Sequence, residues 1–225
     1  MIQPKEIIRC NRRTLALTID KSGALIVKAP LRFPEQEIFK FIEEKSKWIE
    51  SKMGKIQKVS EINEDLLNFG CFLLFGKKYQ VRRSINVKAV VFNANECVIP
   101  EGLSKEKEMH KVILTYKKLA SKWLSERTLE IAKVIGAKFD EFKISDTKGR
   151  WGCCNSNFCI NLNWRVVCLS PALIDYVIVH ELCHLKEMNH SPRFWELVGA
   201  ILPDYKLKRK KVKEMGFLFQ IYRDK

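Results

Sequence analysis

The chain has 225 residues and a formal net charge of +15, because 41 Lys and Arg stand against 26 Asp and Glu. Apolar residues make up 46% of it, enough for a buried core, which excludes a disordered chain; the length allows one domain or two small ones. No run of about 18 apolar residues exists, which excludes a membrane-spanning helix, and the N-terminus has no apolar signal core. Eight cysteines without CxxC spacing argue against a zinc ribbon and for reduced thiols. We therefore expect a cytoplasmic protein with no membrane contact.

Residues 1–103 have the pattern of a small β-rich unit with one helix. Apolar residues alternate in Leu15–Ile19 and again in Leu25–Val27, on either side of Asp20–Gly23, which predicts a β-hairpin. Apolar residues then recur at helical spacing in Pro34–Gly54, which predicts a helix. Two further runs are typical of strands, Cys71–Arg83 and Asn86–Ile99.

Residues 104–225 have the pattern of a second region, in which helices flank a group of strands. A long amphipathic helix is predicted from Ser104 to a stop at Gly136, and two or three strands within Phe139–Val167. A buried helix should begin at Ser170-Pro171, with the serine side chain as its cap, and fray near Asn189. Another helix should begin at Ser191-Pro192 and end before Pro203. The two regions, which can also pack as one continuous domain, give an α+β fold.

Three of the four histidines fall in one eleven-residue segment, at the C-terminal end of the predicted buried helix. The run His180-Glu181-Leu182-Cys183-His184 is an HExxH motif. The i, i+4 spacing places both imidazoles on one helix face, about 5 to 6 Å apart at Cβ, so they can converge on one metal ion. Glu181 lies about 100° further round the helix, where it can reach a bound water without ligating the metal.

His190 is the third candidate ligand. It follows His184 by six residues, and a chain reversal at Lys186–Asn189 would return it to the metal. Three imidazoles leave the fourth position of a tetrahedral Zn²⁺ open, which is the arrangement of catalytic zinc sites, so we expect one zinc ion per chain. A variant of this site has Glu187 or Glu196 as the third ligand instead of His190.

These residues predict a hydrolytic reaction on a peptide. Zn²⁺ lowers the pKa of its bound water toward about 7, Glu181 takes the proton as general base, and the hydroxide attacks a peptide carbonyl. Asn163 and Arg193 are candidate substrate-binding residues, as hydrogen-bond donors for the oxyanion. Nucleobase deaminases are excluded, because their His-x-Glu and Pro-Cys-x-x-Cys motifs are missing.

The sequence resembles the YgjP-like metallopeptidase domain family, which is related to SprT-like and gluzincin-like zinc peptidases. Four segments between residues 145 and 215 carry the resemblance: Trp151–Cys154, Ile160–Arg165, Tyr176–Leu185 and Asn189–Trp195. It implies a zincin-like helix-plus-sheet catalytic domain, with His180, His184 and His190 as zinc ligands and Glu181 as general base. Cys153 stands where the family usually has serine. By analogy with related peptidases, the strand Phe158–Leu162 would lie beside the active-site helix and pair with an extended substrate.

Three alternatives stay open. Metzincins have the same offset between the first and third histidine, but they carry Gly where this chain has Glu187. Without that glycine this chain must reverse differently, and a left-handed Asn189 would allow it. The basic run 206–213 and the net charge also allow a nucleic-acid-associated, SprT-like protein, although a solvated helix face explains the run equally well. The third alternative is a metal-stabilised binding module without turnover.

Overall fold

The structure, a computed structural model, describes residues 2–20, 23–54, 66 and 70–222. The chain divides into two compact units, Met1–Leu67 and Asn68–Lys225. Both combine helices with small sheets, which confirms the α+β class. The boundary that we predicted, between residues 103 and 104, therefore lies inside the second unit.

The first unit consists of a three-stranded sheet and a helix. Its central strand β3 (Leu25–Pro30) pairs with β2 (Ala16–Ile19) in the predicted antiparallel hairpin and with β1 (Glu6–Cys10) in parallel. Asp20 accepts a hydrogen bond from the Ala24 N–H in the hairpin loop, whose residues 21 and 22 lie outside the described residues. Helix α1 (Glu35–Glu44) is followed by a turn and by helical residues 46–54, so the predicted helix is interrupted once.

Alternation along β3 and helical spacing along α1 build the core of this unit. Side chains at every second position of the strand and at i, i+4 of the helix face each other, as expected for these two periods. The buried residues of this cluster are Leu25, Val27, Ala29, Ile38, Ile42 and Ile49.

The second unit begins with a four-stranded sheet in the order β4-β5-β7-β6. Its strands are β4 (Cys71–Leu74), β5 (Lys77–Ser84), β6 (Val91–Asn93) and β7 (Glu96–Pro100). The predicted runs Cys71–Arg83 and Asn86–Ile99 therefore each contain two strands. The sheet belongs to this unit because it packs on residues C-terminal to it: the Phe75 N–H donates to the carbonyl of Val167, and the Tyr116 hydroxyl donates to the carbonyl of Leu73 at 2.5 Å.

Helix α2 (Lys105–Ile135) is the predicted long helix, and both of its ends are confirmed. Ser104 caps the N-terminus by accepting from the Lys107 N–H, and Gly136 ends the helix in the left-handed conformation at φ +66°. Tyr116, fully buried on this helix, contacts the rings of Trp164 and Tyr222 at centroid distances of 5.6 and 5.4 Å. Such aromatic packing fixes the C-terminal end of the described chain to the core.

A second sheet in this unit has the order β8-β10-β9. It consists of β8 (Glu141–Ser145), β9 (Gly152–Cys154) and β10 (Cys159–Asn163). Strand β10 pairs in parallel with β8 and antiparallel with β9, so both of its edges are occupied. The expectation that Phe158–Leu162 pairs with a substrate is therefore wrong, because a central strand has no free backbone groups to offer. Strands β8 and β9 are the two edge strands, and β9 contacts the helix Pro171–Cys183.

The remaining elements are helical. A 3₁₀ helix (Trp164–Cys168) leads to α3 (Pro171–Cys183), α4 (Pro192–Ile201), α5 (Tyr205–Glu214), a 3₁₀ turn (Met215–Phe217) and α6 (Leu218–Ile221). Ser191 caps α4 by accepting from the Phe194 N–H, as predicted, whereas the Ser170 side chain makes no capping hydrogen bond to α3. No helix of the described residues is long and apolar enough to cross a membrane.

Candidate active site

Two of the three clustered histidines are positioned by helix α3. His180 lies in its last turn and His184 is its C-terminal cap residue, so the i, i+4 spacing places their rings with centroids 4.9 Å apart. The helix is buried on most sides, and it stops at Cys183 rather than near Asn189 as predicted. The helix end therefore comes directly after the HExxH motif.

The chain reverses between His184 and Ser191 and brings His190 back to the other two rings. The Leu185 and Lys186 N–H groups donate to carbonyls three residues back, which tightens the helix end into a turn. The predicted reversal is thus present, but no residue from 184 to 190 has a positive φ, so the left-handed Asn189 that we expected is wrong. His190 Nε2 lies 3.0 Å from His180 Nε2, and its ring centroid is 4.7 Å from that of His184.

The three imidazoles fit a metal ion. They are the group of possible metal-ligating side chains that the described residues bring together, with one nitrogen from each within 4.8 Å of the others. His184 Nδ1 lies 3.0 Å from the carbonyl oxygen of Glu187, the partner that orients a metal-ligating imidazole and leaves its Nε2 free as a ligand. A set of three neutral imidazoles suits Zn²⁺ and other first-row divalent ions.

Aromatic side chains from α4 pack against the imidazoles, and burial favours the uncharged form of His180 and His190. The Phe194 ring lies with its centroid 4.4 Å from that of His184 and 4.9 Å from that of His180. Burial, together with the neighbouring imidazoles and Arg209, lowers the pKa of His180 to about 3, and burial also lowers the pKa of His190. Neutral imidazoles keep the lone pairs that a metal requires.

Glu181 is a buried carboxyl group beside strand β9. Its side chain is 5% exposed, and burial raises its pKa to about 8 against the opposing charge of Arg150. A Cβ added at Gly152 would lie 2.7 Å from Glu181 Oε1 and 2.8 Å from its Cγ, so the glycine is what lets the strand approach the carboxyl group. Glu181 therefore faces β9, an edge strand of the sheet.

The triad and Glu181 share one pocket of about 850 Å³ in the second unit. Its walls come from the segment before β9, from β9 itself, from α3 and from α5. Apolar side chains alternate there with basic ones, including Arg150 and Arg209. The guanidinium carbon of Arg209 lies 4.3 Å from the ring centroid of Trp195, which in turn stacks on His190 at 5.5 Å.

The structure separates two of the predicted site residues from the other four. Asn163 is fully buried: its amide donates to the carbonyl of Thr147, and its carbonyl oxygen accepts from the backbone N–H of Arg165, so it caps the 3₁₀ helix instead of facing the pocket. Arg193 is exposed on α4 and does not line the pocket either. Glu187 and Glu196, the alternative third ligands, are absent from the metal-ligating group of the described residues.

Two features of the site were not predicted from the sequence. Gly152 belongs to the Trp151–Cys154 segment that carried the resemblance, but its contact with Glu181 depends on how strand and helix pack. Arg209 belongs to the basic run that we interpreted as a solvated face or a nucleic-acid contact. The sequence drew attention to the segments of both residues, but it did not show where Gly152 and Arg209 lie relative to Glu181 and the three histidines.

Comparisons with known proteins place the chain at the level of a family. No curated protein matches the sequence. Among solved structures, the crystal structure of the metallopeptidase zymogen of Pyrococcus abyssi abylysin is similar with a TM-score of 0.37 and 22% identity, over 40% of this chain and 90% of that chain, which is too low to define the fold. The model of the YgjP-like family, a metallopeptidase domain, matches residues 13–215, which include the triad and Glu181. The chain therefore belongs to the YgjP-like metallopeptidase domain family.

Proposed function

We propose that this metallopeptidase is a zinc-dependent peptidase in which His180, His184 and His190 hold the zinc ion and Glu181 is the general base. The observation that carries the proposal is the convergence of three imidazoles within 4.8 Å in a pocket that also contains a buried carboxyl group.

The metal, when bound, supplies Lewis acidity toward water and toward a peptide carbonyl. His184 is oriented by the contact of its Nδ1 with the carbonyl oxygen of Glu187 and by stacking on the ring of Phe194. Glu181 takes a proton from the attacking water and delivers it to the departing amine. In the metal-free protein its pKa of about 8 leaves this group largely protonated at neutral pH, and nearby positive charge favours the carboxylate that a base requires.

Strand β9 is proposed to bind the extended substrate. It is one of the two edge strands of its sheet in the described chain, and unlike β8 it lines the pocket, where Gly152 brings its backbone against Glu181. An added antiparallel or parallel strand gains main-chain hydrogen bonds with little demand on side-chain sequence. A peptide bound along β9 would therefore pass next to Glu181.

Zinc content and peptide cleavage test the proposal together. The purified protein should contain about one zinc per chain. His190→Ala should lower this content, whereas His110→Ala, at the fourth histidine on α2, should not. Glu187→Gln should also leave the zinc content unchanged, because only the carbonyl of Glu187 contacts His184. Unchanged zinc in His190→Ala would remove the triad from the proposal.

Glu181→Gln tests the general base. It should retain zinc and lose cleavage of an unfolded protein, such as reduced casein, by at least about 100-fold, in line with the contribution of a general base. Cleavage equal to that of the unaltered protein would remove the role of Glu181. Zinc without any cleavage in either protein would favour the alternative of a metal-stabilised binding module.

The cytoplasmic location stays part of the proposal. It is supported by the burial of five of the eight cysteines, as expected for small apolar thiols in a reducing compartment.

A further inference from the structure

The pocket that holds the triad has a strongly basic wall. Four of its side chains are Lys or Arg, and Glu181 is the acidic side chain among the described residues that line it. Two of the basic residues, Lys148 and Arg150, precede strand β9, and the other two, Arg209 and Lys213, lie four residues apart on helix α5. Two separate elements thus direct positive charge into the same cleft.

These charges are not neutralised by the protein's described residues. No ion pair in that part of the chain involves any of the four, although the neighbouring Lys208 pairs with Asp204 on the same helix. Mutual repulsion of like charges in a concave site is unfavourable, and it is relieved when a ligand of opposite charge enters. Unpaired basic residues around a pocket therefore indicate an acidic ligand.

The position of Arg209 argues for a role close to the reacting groups. Its guanidinium stacks on Trp195 with 4.3 Å from carbon to ring centroid, which fixes a long side chain that would otherwise be free in solvent. Its positive charge acts on the triad. Burial and the neighbouring imidazoles are the larger causes of the lowered pKa of His180, and Arg209 adds to them. Arg150 acts on Glu181 in the same way, opposing the effect of burial.

We propose that the pocket selects acidic polypeptides, with Lys148, Arg150, Arg209 and Lys213 contacting Asp or Glu side chains on both sides of the scissile bond. The proposal rests on the peptidase function proposed above and names its substrate class. A polypeptide is favoured over a nucleic acid because the basic groups surround Glu181 and the triad within a cleft of about 850 Å³, which accommodates a few extended residues. An exposed basic groove for a polynucleotide would run along the surface instead.

Binding is measured with the Glu181→Gln protein loaded with zinc, so that substrates stay intact. The probes are three fluorescein-labelled twelve-residue peptides on one neutral scaffold, with four variable positions filled by Asp and Glu, by Asn and Gln, or by Lys and Arg. Each partly exposed ion pair changes affinity by about 1.5- to 5-fold, so the acidic peptide should bind about tenfold more tightly than the neutral one in low salt. The difference should shrink as salt is added.

A matched pair of double variants separates the pocket from the overall charge. Arg209→Glu with Lys213→Glu reverses two pocket charges and should abolish or invert the preference. Lys206→Glu with Lys210→Glu makes the same charge change at the same spacing on the same helix, at exposed positions off the pocket, and should retain it. Circular dichroism and zinc content check the fold. If reversing the two charges unfolds the chain, Arg209→Gln with Lys213→Gln provides a milder variant.

The outcomes discriminate the proposal from its alternatives. The proposal would be overturned if acidic and neutral peptides bound equally tightly. It would also be overturned if both double variants lost the same share of the preference for the acidic peptide. It would also be overturned if a twelve-nucleotide single-stranded DNA bound more tightly than the acidic peptide and lost affinity only in the pocket variant. Cleavage by the zinc-loaded protein with an active Glu181 reports separately on the peptidase function: cleavage of all three peptides alike refutes the acidic preference alone, and binding preference without any cleavage refutes the peptidase function alone.

Discussion

Replacing Gly152 with alanine should displace the general base. The added Cβ would lie 2.7 Å from Glu181 Oε1, 2.8 Å from its Cγ and 2.9 Å from its Cδ. Ordinary carbon contacts lie at about 3.5 to 4.0 Å, so the carboxylate must retreat by roughly 0.7 to 1 Å. A displacement of about 1 Å near reacting groups lowers rates by about 100-fold. We therefore expect Gly152→Ala to retain zinc and to lose about 100-fold in kcat/KM.

The same steric overlap should also lower the free energy of unfolding of Gly152→Ala. Overpacking a fitted site costs about 1 to 3 kcal/mol, and urea unfolding of the zinc-free proteins measures it. All three clashing atoms are missing in Glu181→Ala, so Gly152→Ala should cost little in that background. A coupling free energy of about 1 to 3 kcal/mol between the two sites is expected from the double-mutant cycle.

Gly216→Ala is the matched control for the added methyl group. Gly216 also borders the pocket, but no atom lies within 4 Å of a Cβ built there, so its unfolding midpoint should be unchanged. The argument fails if Gly152→Ala destabilises the Glu181→Ala protein as much as the protein that keeps Glu181. It also fails if Gly152→Ala cleaves peptides at the unaltered rate.

Three other measurements test the site and its support. His190→Ala should bind zinc at least about tenfold more weakly in a competitive chelator titration, because one of three protein ligands is lost; unchanged affinity would contradict the triad. In metal-free protein, the difference in unfolding free energy between the unaltered chain and Glu181→Gln should fall as the pH rises from about 4.5 to about 8, since Glu181 has a raised pKa in the folded state and folding then binds the proton. Taking this difference cancels the opposite effect of His180, whose pKa is lowered. The fall is on the order of 4 kcal/mol at most, and parallel curves for the two proteins would refute it. Arg165→Met should lower the unfolding free energy by about 3 kcal/mol, as it removes a buried guanidinium that donates to Asp146 and to the carbonyl of Tyr222; a loss below about 1 kcal/mol would exclude that anchoring role.

Some helix ends in this chain were predictable because capping chemistry is local. Ser104 and Gly136 bound helix α2 with the side-chain cap and the left-handed stop that their types favour. Ser191 caps α4 in the same way. Ser170 begins α3 at the predicted position, with proline at the first helical position, but its side chain makes no capping hydrogen bond.

The metal-ligating group was predictable only in part. The i, i+4 spacing of His180 and His184 required neighbouring rings once the helix formed. The return of His190 depended on a reversal whose location follows from the next helix start, but whose backbone conformation does not. The helix end tightens through hydrogen bonds to carbonyls three residues back, so no left-handed residue is needed and Asn189 has no special part in it.

Strand order and close approaches could not be obtained from local patterns. Parallel pairing of β1 with β3, and of β10 with β8, joins segments without a tight turn between them. Asn163 follows from that order: the end of a central strand leaves it buried, where it caps the next 3₁₀ helix. The contact of Gly152 with Glu181 likewise exists only after β9 packs on α3.

The triad and Glu181 form an arrangement that is unfavourable without a cation. Burial lowers the pKa of His180 and raises that of Glu181, so folding keeps both groups neutral at pH values where the unfolded chain would ionise at least one of them. His180 Nδ1 is buried without a hydrogen-bond partner among the described residues. A dication among the imidazoles offsets these terms, since it uses neutral lone pairs and favours an ionised carboxylate beside it. Folding and metal binding are therefore coupled, and the same burial that makes the metal-free site unfavourable prepares its ligands.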